Sequence, residues 1–443
     1  MTTDLSPTAA NLDTGALVEQ QLAALRTQLA YLTERSPYYR DRLAGIDPES
    51  IRTLADLAVI PTFDKTQHRV SQETSMRDSG HPYGAHLAAD LADVRYVNAT
   101  SGTSGLPTFY TFTTRDAELN DEVLGRAFAA MGLRRGDTVL HAYALSMFVG
   151  GVPWLRALDR AGIRSLPVGA EGGTARLLTI AQLTRPTALF CTPSFAEHLI
   201  ERAPEVIGAD VASLGIRIIQ CGGEPGAGDP AVRARIAEAC GAQVFDGMGG
   251  AWGHFMLSCE HQTGMHAMAP EHHLIELLDG ETGAPLPLED GVVGQMTHTS
   301  LDWQAGPILR YNMGDDVQVV TDPCPCGRPG PRYRILGRAD DMLIVNGINV
   351  HPAAVRDVVA QFTPRVTGAI RILAPGDGPR VAPPLHVRIE SHDEPDRAAD
   401  SGLAETIEGR IRDLLRFRAT VEFVPAGSLG RSSHKTKILE RTP

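Results

Sequence analysis

The chain has 443 residues, a length that calls for two or more folding units. Its 53 Asp and Glu outnumber 41 Lys and Arg, giving a net charge of -12, which excludes broad adhesion to nucleic acid or anionic membrane but leaves room for a local basic pocket. Hydrophobic residues make up 43% and charged residues 21%, an ordinary soluble balance, and no run of about eighteen apolar residues suited to a membrane span occurs.

The opening MTTDLSPTAANLDTG lacks the charged start and apolar stretch of a secretion signal, so a cytoplasmic protein is expected. Leu22, Leu25, Leu29 and Leu32 recur at spacings of three and four, which predicts a packing helix between Asp13 and Arg35. Thr100 to Thr108 interleaves hydroxyls and glycines. The small Gly102 and Gly105 would let backbone N–H groups approach an anion, and Ser101, Thr103 and Ser104 could donate further bonds. No Gly-Lys-Ser/Thr follows, so this is not a Walker loop, and on its residues alone it reads equally as a flexible polar turn.

From Gly136 onward, TVLHAYAL, GIRSLPV, PTALFCTPS, GIRIIQCGG and AQVFDGMGG read as strands that alternate with helical segments, predicting a largely parallel α/β sheet. Asp229 and Pro230 supply the start of a helix that should end near Cys240. At GRADDMLIVNGINVHP the pattern changes to a shorter succession of IRIL, LHVRIE, a helix near 403–416 and TVEFVP. We therefore divide the chain into an N-terminal α/β unit, 1–336, and a smaller α+β unit, 337–443, with SHDEPDRAADSG as an exposed acidic loop. The 44 glycines and 30 prolines fall in short loops, where the chemistry should sit.

Six cysteines are too few for a disulfide framework. Cys259, Cys324 and Cys326 with His266 offer three sulfurs and one imidazole, enough for a closed structural zinc site, with buried free thiols as the plain alternative. His261 is the competing imidazole, His272 and His273 read as surface or pocket residues, and Cys191, Cys221 and Cys240 as small core residues.

Several segments, in order, resemble the acyl-adenylate-forming superfamily, and within it the phenylacetate–CoA ligase type. SPYYRDRL and TSGTSGLPT resemble its entry segment and phosphate loop. Cys221-Gly222-Gly223-Glu224-Pro225 and Phe245-Asp246-Gly247-Met248-Gly249 resemble the adenine-side segments, and Arg310-Tyr311-Asn312-Met313-Gly314-Asp315 the ribose-binding motif. Gly337-Arg338-Ala339-Asp340-Asp341-Met342 resembles the interdomain hinge, and Arg431-Ser432-Ser433-His434-Lys435 the tail that delivers a catalytic lysine. The resemblance implies a large adenylating domain with a smaller mobile C-terminal domain. It implies ATP contacts from Ser101, Gly102, Thr103, Ser104, Gly105, Gly223, Glu224, Pro225, Phe245, Asp246, Gly247, Met248, Gly249, Asp315 and Arg338, with Lys435, in preference to Lys437, as the catalytic residue. Where the family continues into a hydroxyl residue and a magnesium-binding glutamate, Gly249-Gly250-Ala251-Trp252 places alanine and tryptophan, neither of which ligates a hard cation through its side chain. Met248 likewise stands where tyrosine is usual.

For the acid, the resemblance points to Tyr143, Phe148, Gly150 and Gly151, near Thr192, Pro193 and Ser194, as a slot for a flat acyl group. Core packing is the equal alternative for any one of them. His141 and Trp252 are further candidates for contacts with substituents. The implied activity is ATP- and magnesium-dependent formation of an acyl-AMP from an aromatic or arylalkanoic acid, then transfer to coenzyme A after rotation about Asp340 or Asp341. Transfer to an amine or carrier protein, activation of another oxyanion such as nitrite, and a noncatalytic nucleotide-binding homologue stay open, and a homodimer is suggested by resemblance alone. A zinc hydrolase is disfavoured, because four protein ligands leave no open position for water.

Overall fold

The computed structural model describes residues 14–100, 107–250, 252–376, 378–392, 402–430 and 438–442. The first helix runs Thr14–Arg35, and Leu22, Leu25, Leu29 and Leu32 are all buried along one stripe. They pack with Ile51, Leu57, Ile60, Leu274, Leu301 and Leu309. From the same helix, Gln28 donates to the Trp303 carbonyl at 2.7 Å and accepts from the Trp303 N–H at 3.0 Å. A buried amide with both ends used fixes the helix on the distant 300s loop.

Five strands run parallel in the spatial order Arg164–Pro167, Thr138–His141, Ala188–Cys191, Ile218–Gly222 and Gln243–Gly249. The second, third and fourth are buried at every position, as expected of strands covered on both faces. Parallel neighbours need crossovers, supplied in part by helices Val152–Arg160, Thr174–Thr184, Pro193–Ile207 and Pro230–Cys240. The last begins as the sequence predicts. Asp229 accepts from the N–H groups of Ala231 and Val232 at 2.9 and 2.8 Å, Pro230 occupies the first turn, and Gly241 ends the helix at φ 63°.

Beyond Gly249 the same sheet turns antiparallel, through Phe255–Ser258, Met265–Ala267, Arg332–Arg338, Tyr311–Val320, Val293–Ser300 and His273–Leu278. This half was not foreseen. Arg332–Arg338 is the last strand of the large sheet, and Leu343–Val345 already belongs to a separate three-stranded sheet. The C-terminal unit adds a four-stranded sheet in the order Ala419–Pro425, Leu385–Ser391, Val366–Pro375, Leu439–Thr442. Helices Pro352–Ala360 and Leu403–Leu415 share a core with it, built on Val355, Val359, Ile372, Val387, Ile407 and Ile411. No helix among the described residues is long and apolar enough to cross a membrane.

Candidate active site

In a parallel sheet, ligands gather where the strands end at their carboxyl edge. Here that edge carries Tyr143 to Gly151 after one strand, Thr192 to Ser194 after the next, then Gly223 to Pro225, and finally Gly250. Glu224 accepts from the Ser194 N–H at 2.9 Å, so its carboxylate sits on the N-terminus of helix Pro193–Ile207, where the helix dipole favours negative charge. Gly222 and Gly247 face each other across two strands, and a Cβ on Gly222 would lie 2.6 Å from the Gly247 carbonyl. Side chains are excluded there by contact.

Strand Gln243–Gly249 sends alternate residues to opposite faces. Phe245 is buried in the core with Trp154, Phe190 and Phe255. Loss of hydration pushes the Asp246 carboxyl up to about 6, against the pull of Arg233 and Arg356. Met248 packs at the margin of the cluster around Met256, Val317 and Tyr333.

Asp315 lies directly opposite Arg338 in the antiparallel pair Tyr311–Val320 and Arg332–Arg338, with the guanidinium Nη1 3.5 Å from its Oδ1. Arg338 also donates to the Met313 carbonyl at 2.6 Å and, through Nε and Nη2, to both oxygens of Asp340 at 2.9 and 3.2 Å. Burial works against its charge, but Asp340, Asp315 and Asp341 hold it cationic. Gly314 has φ 75°, and a Cβ there would sit 3.1 Å from Arg338 Nη2. The turn therefore requires glycine, both for its backbone and for the arginine that crosses it. Asp315 is thus oriented and sheltered, with 13% of its side chain exposed.

Tyr143 is buried and donates to Gln220 Oε1 at 2.8 Å. An added Cβ on Gly150 would lie 2.9 Å from Phe148 Cε1 and 3.6 Å from Tyr143 Cγ, so the two rings flank this glycine. Gly151 has no more room, with the Ala144 carbonyl 2.6 Å from its notional Cβ. The structure thus brings Tyr143, Phe148, Gly150 and Gly151 together, with the His141 ring 5.6 Å from Tyr143, fully buried and kept neutral by burial. Gln220 was missed from sequence. A lone polar residue inside the apolar run IIQCG was the available signal.

Trp252 is buried, its ring centroid 5.1 Å from Tyr311, 5.6 Å from Tyr110 and 6.2 Å from His298, and Val149 of the Tyr143–Gly151 loop packs on the same cluster. His273 donates to the Trp252 carbonyl at 3.1 Å, and burial holds His254, His273 and His298 neutral. Val149 is thus the point at which Trp252 meets the Tyr143–Gly151 loop. Trp252→Ala is expected to cost about 3–5 kcal/mol of stability and to shift acid preference toward bulkier acids, read by urea unfolding and by relative kcat/KM across acids.

Ser101 to Gly105 and the tail lysines Lys435 and Lys437 lie outside the described residues. Thr100 and Thr108, which flank the loop in sequence, pair across the antiparallel strands Tyr96–Thr100 and Thr108–Phe112. Gln72 binds just beyond it, donating to the Pro107 carbonyl at 3.1 Å and accepting from the Phe109 N–H at 2.8 Å.

The sulfur and imidazole set also converges. Strand Met265–Ala267 pairs with both Phe255–Ser258 and Arg332–Arg338, which brings Cys259 and His266 to the turn holding Cys324 and Cys326. All four donor atoms lie within 4.8 Å of one another, with Cys259 Sγ 3.5 Å from Cys324 Sγ and Cys326 Sγ 3.4 Å from His266 Nε2. A tetrahedral ion with Zn–S bonds of about 2.3 Å separates its sulfurs by about 3.8 Å, so the set fits zinc. His261 is outside it, 3.7 Å from Glu260 and partly exposed.

Residues 34–300 match the family profile described as AMP-binding enzyme. The chain belongs to that family. This AMP-binding enzyme is 32% identical over 437 residues to the phenylacetate-coenzyme A ligase of Thermus thermophilus, covering 94% of each chain. It is an acyl-adenylate-forming, phenylacetate–CoA ligase-like member of the family. A crystal structure of 2-hydroxyisobutyryl-CoA ligase in the postadenylation state, with 2-HIB-AMP bound, superposes at TM-score 0.88 and 28% identity, covering 97% of this chain and 90% of that one. The same ligase in the thioesterification state, with 2-HIB-AMP and CoA, superposes over equal shares at only 0.69. The overall arrangement of this AMP-binding enzyme is therefore closer to the first of these structures than to the second.

Proposed function

We propose that this AMP-binding enzyme activates an aromatic or arylalkanoic acid with ATP and passes the acyl group to coenzyme A. The observation that carries this reading is the single sheet edge that carries both Gly223-Glu224-Pro225 and the Tyr143–Gly151 segment, in a chain that a phenylacetate-coenzyme A ligase matches over 94% of its length. In the first step a carboxylate oxygen of the acid attacks the α-phosphorus of ATP, the bond to the bridging oxygen breaks, and pyrophosphate leaves with that electron pair. Asp315 accepts hydrogen bonds from the ribose diol, and Ser101 to Gly105 donate to the phosphates. Lys435 offsets charge where carboxylate and α-phosphate meet. In the second step the coenzyme A thiolate attacks the acyl carbonyl and AMP departs, after the C-terminal unit turns about Asp340 or Asp341.

Magnesium, when bound, neutralises phosphate charge. The indole at position 252 is enclosed by Tyr110, Tyr311 and His298 and offers it no oxygen, so the nucleotide phosphates, water and another carboxylate would hold the ion. Zinc at Cys259, His266, Cys324 and Cys326 would take four protein ligands and tie the sheet together, with no part in either step.

Trp252, which packs with Val149 of the Tyr143–Gly151 loop, would narrow a slot there and so favours a second reading, a small hydroxylated aliphatic acid of the kind named for the 2-hydroxyisobutyryl-CoA ligase. Chromatographic detection of thioesters from ATP, magnesium, coenzyme A and a panel of aryl, arylacetic and short hydroxy acids separates the two. Thioester from arylacetic acids supports the first reading, and thioester from hydroxy acids alone replaces it with the second. Acid-dependent AMP formation without any thioester moves the acceptor to an amine or carrier protein.

A further inference from the structure

Helix Pro352–Ala360 of the C-terminal unit packs on helix Pro230–Cys240, and its last residue, Ala360, joins the core of the N-terminal unit. Arg356 lies at this junction with only 15% of its side chain exposed. Its Nη1 donates to the Pro225 carbonyl at 2.7 Å, on the far side of the interdomain boundary. The fit is close. A Cβ added to Gly226 would come within 3.6 Å of Arg356 Nη2 and 2.8 Å of Pro193 Cβ, so the segment after Pro225 is wedged between the arginine and the start of helix Pro193–Ile207. Asp357 lies 3.4 Å from the same guanidinium, and Asp246 also acts on it electrostatically, so its charge is compensated from both units.

Pro225 belongs to the segment read as lying beside adenine, so the arginine senses the backbone that the nucleotide contacts. The contact occurs in an arrangement of the two units that superposes far better on the postadenylation neighbour than on the same ligase in its thioesterification state. We propose that Arg356 is a positioning residue that latches the C-terminal unit onto the Pro225 carbonyl in the acyl-AMP arrangement that precedes transfer to coenzyme A, and lets go before that transfer. This rests on the two-step reading above. A two-state rotation is biased only by contacts that differ between its states, and a charged donor on a carbonyl is such a contact.

The test separates the half-reactions. Adenylation is read as acid-dependent exchange of pyrophosphate into ATP, with the acid that gives the most thioester in the panel. Transfer is read as thioester formation from the synthetic acyl-AMP of that acid and coenzyme A. Arg356→Ala should slow adenylation about tenfold while leaving transfer equal to wild type or faster, and Arg356→Lys, which keeps one charged donor, should recover part of the loss. Equal loss in both half-reactions, or no loss in either, overturns the proposal. A readout that needs no acid is hydrogen exchange with ATP and magnesium alone. Arg356→Ala should speed exchange at 226–232 and at 353–360 while leaving helix Leu403–Leu415 unchanged, and unaltered exchange at those segments overturns the latch. If wild type exchanges no pyrophosphate with any acid, the two-step reading fails by itself, and hydrogen exchange still decides the contact.

Discussion

Asp315→Ala is expected to cut acid-dependent AMP formation about a hundredfold or more, chiefly through the KM for ATP, since two hydrogen bonds to a carboxylate at about 1.5–3 kcal/mol each are lost. The fold should survive the change, because Arg338 keeps the Met313 carbonyl and both oxygens of Asp340. Asp315→Asn preserves shape and one acceptor but not the charge, so it should fall between wild type and alanine. Steady-state kinetics with ATP varied, beside a thermal unfolding curve, separates a lost contact from a lost fold. An unchanged KM for ATP with both variants would remove Asp315 from the nucleotide site.

The second large effect concerns the metal. Elemental analysis of the purified protein should give one zinc per chain, and Cys259→Ser should lose it together with several kcal/mol of stability, because the binding free energy of a structural zinc is part of the folding free energy. The consequence should reach the nucleotide. Cys324 and Cys326 lie in the turn between Tyr311–Val320 and Arg332–Arg338, whose near end pairs Val320 with Arg332 and whose far end pairs Asp315 with Arg338. Loosening the turn frees the register of that pair, so Cys259→Ser should also weaken ATP binding. A zinc-free wild type that unfolds at the same temperature as the variant would leave four free thiol and imidazole groups and no metal centre.

Where burial follows hydrophobicity, the fold was legible in the sequence. The strands around Val139, Phe190 and Ile219 are buried throughout and mostly apolar, and Asp229-Pro230 announces a helix by local chemistry alone. The antiparallel half was harder to read because part of its interior is polar. Thr297, His298, Thr299 and Ser300 are all fully buried, and nothing in QMTHTS signals that. The metal set could be read as residue types, but the choice of His266 over His261 depends on strand Met265–Ala267 lying between two partners, a long-range fact. Phe245 and Asp246 show the same limit, since only the pleat decides which one enters the core. Arg356 carried no signal in the sequence, because its meaning lies in a carbonyl 131 positions away.

The central claim is that an acyl-adenylate forms before any acceptor is needed. Exchange of labelled pyrophosphate into ATP, measured with magnesium and each acid but no coenzyme A, tests it most directly. The expected result is exchange that requires an acid, proceeds without coenzyme A and disappears in Lys435→Ala. Absence of exchange with every acid, or conversion of ATP to ADP and phosphate in its place, would contradict it.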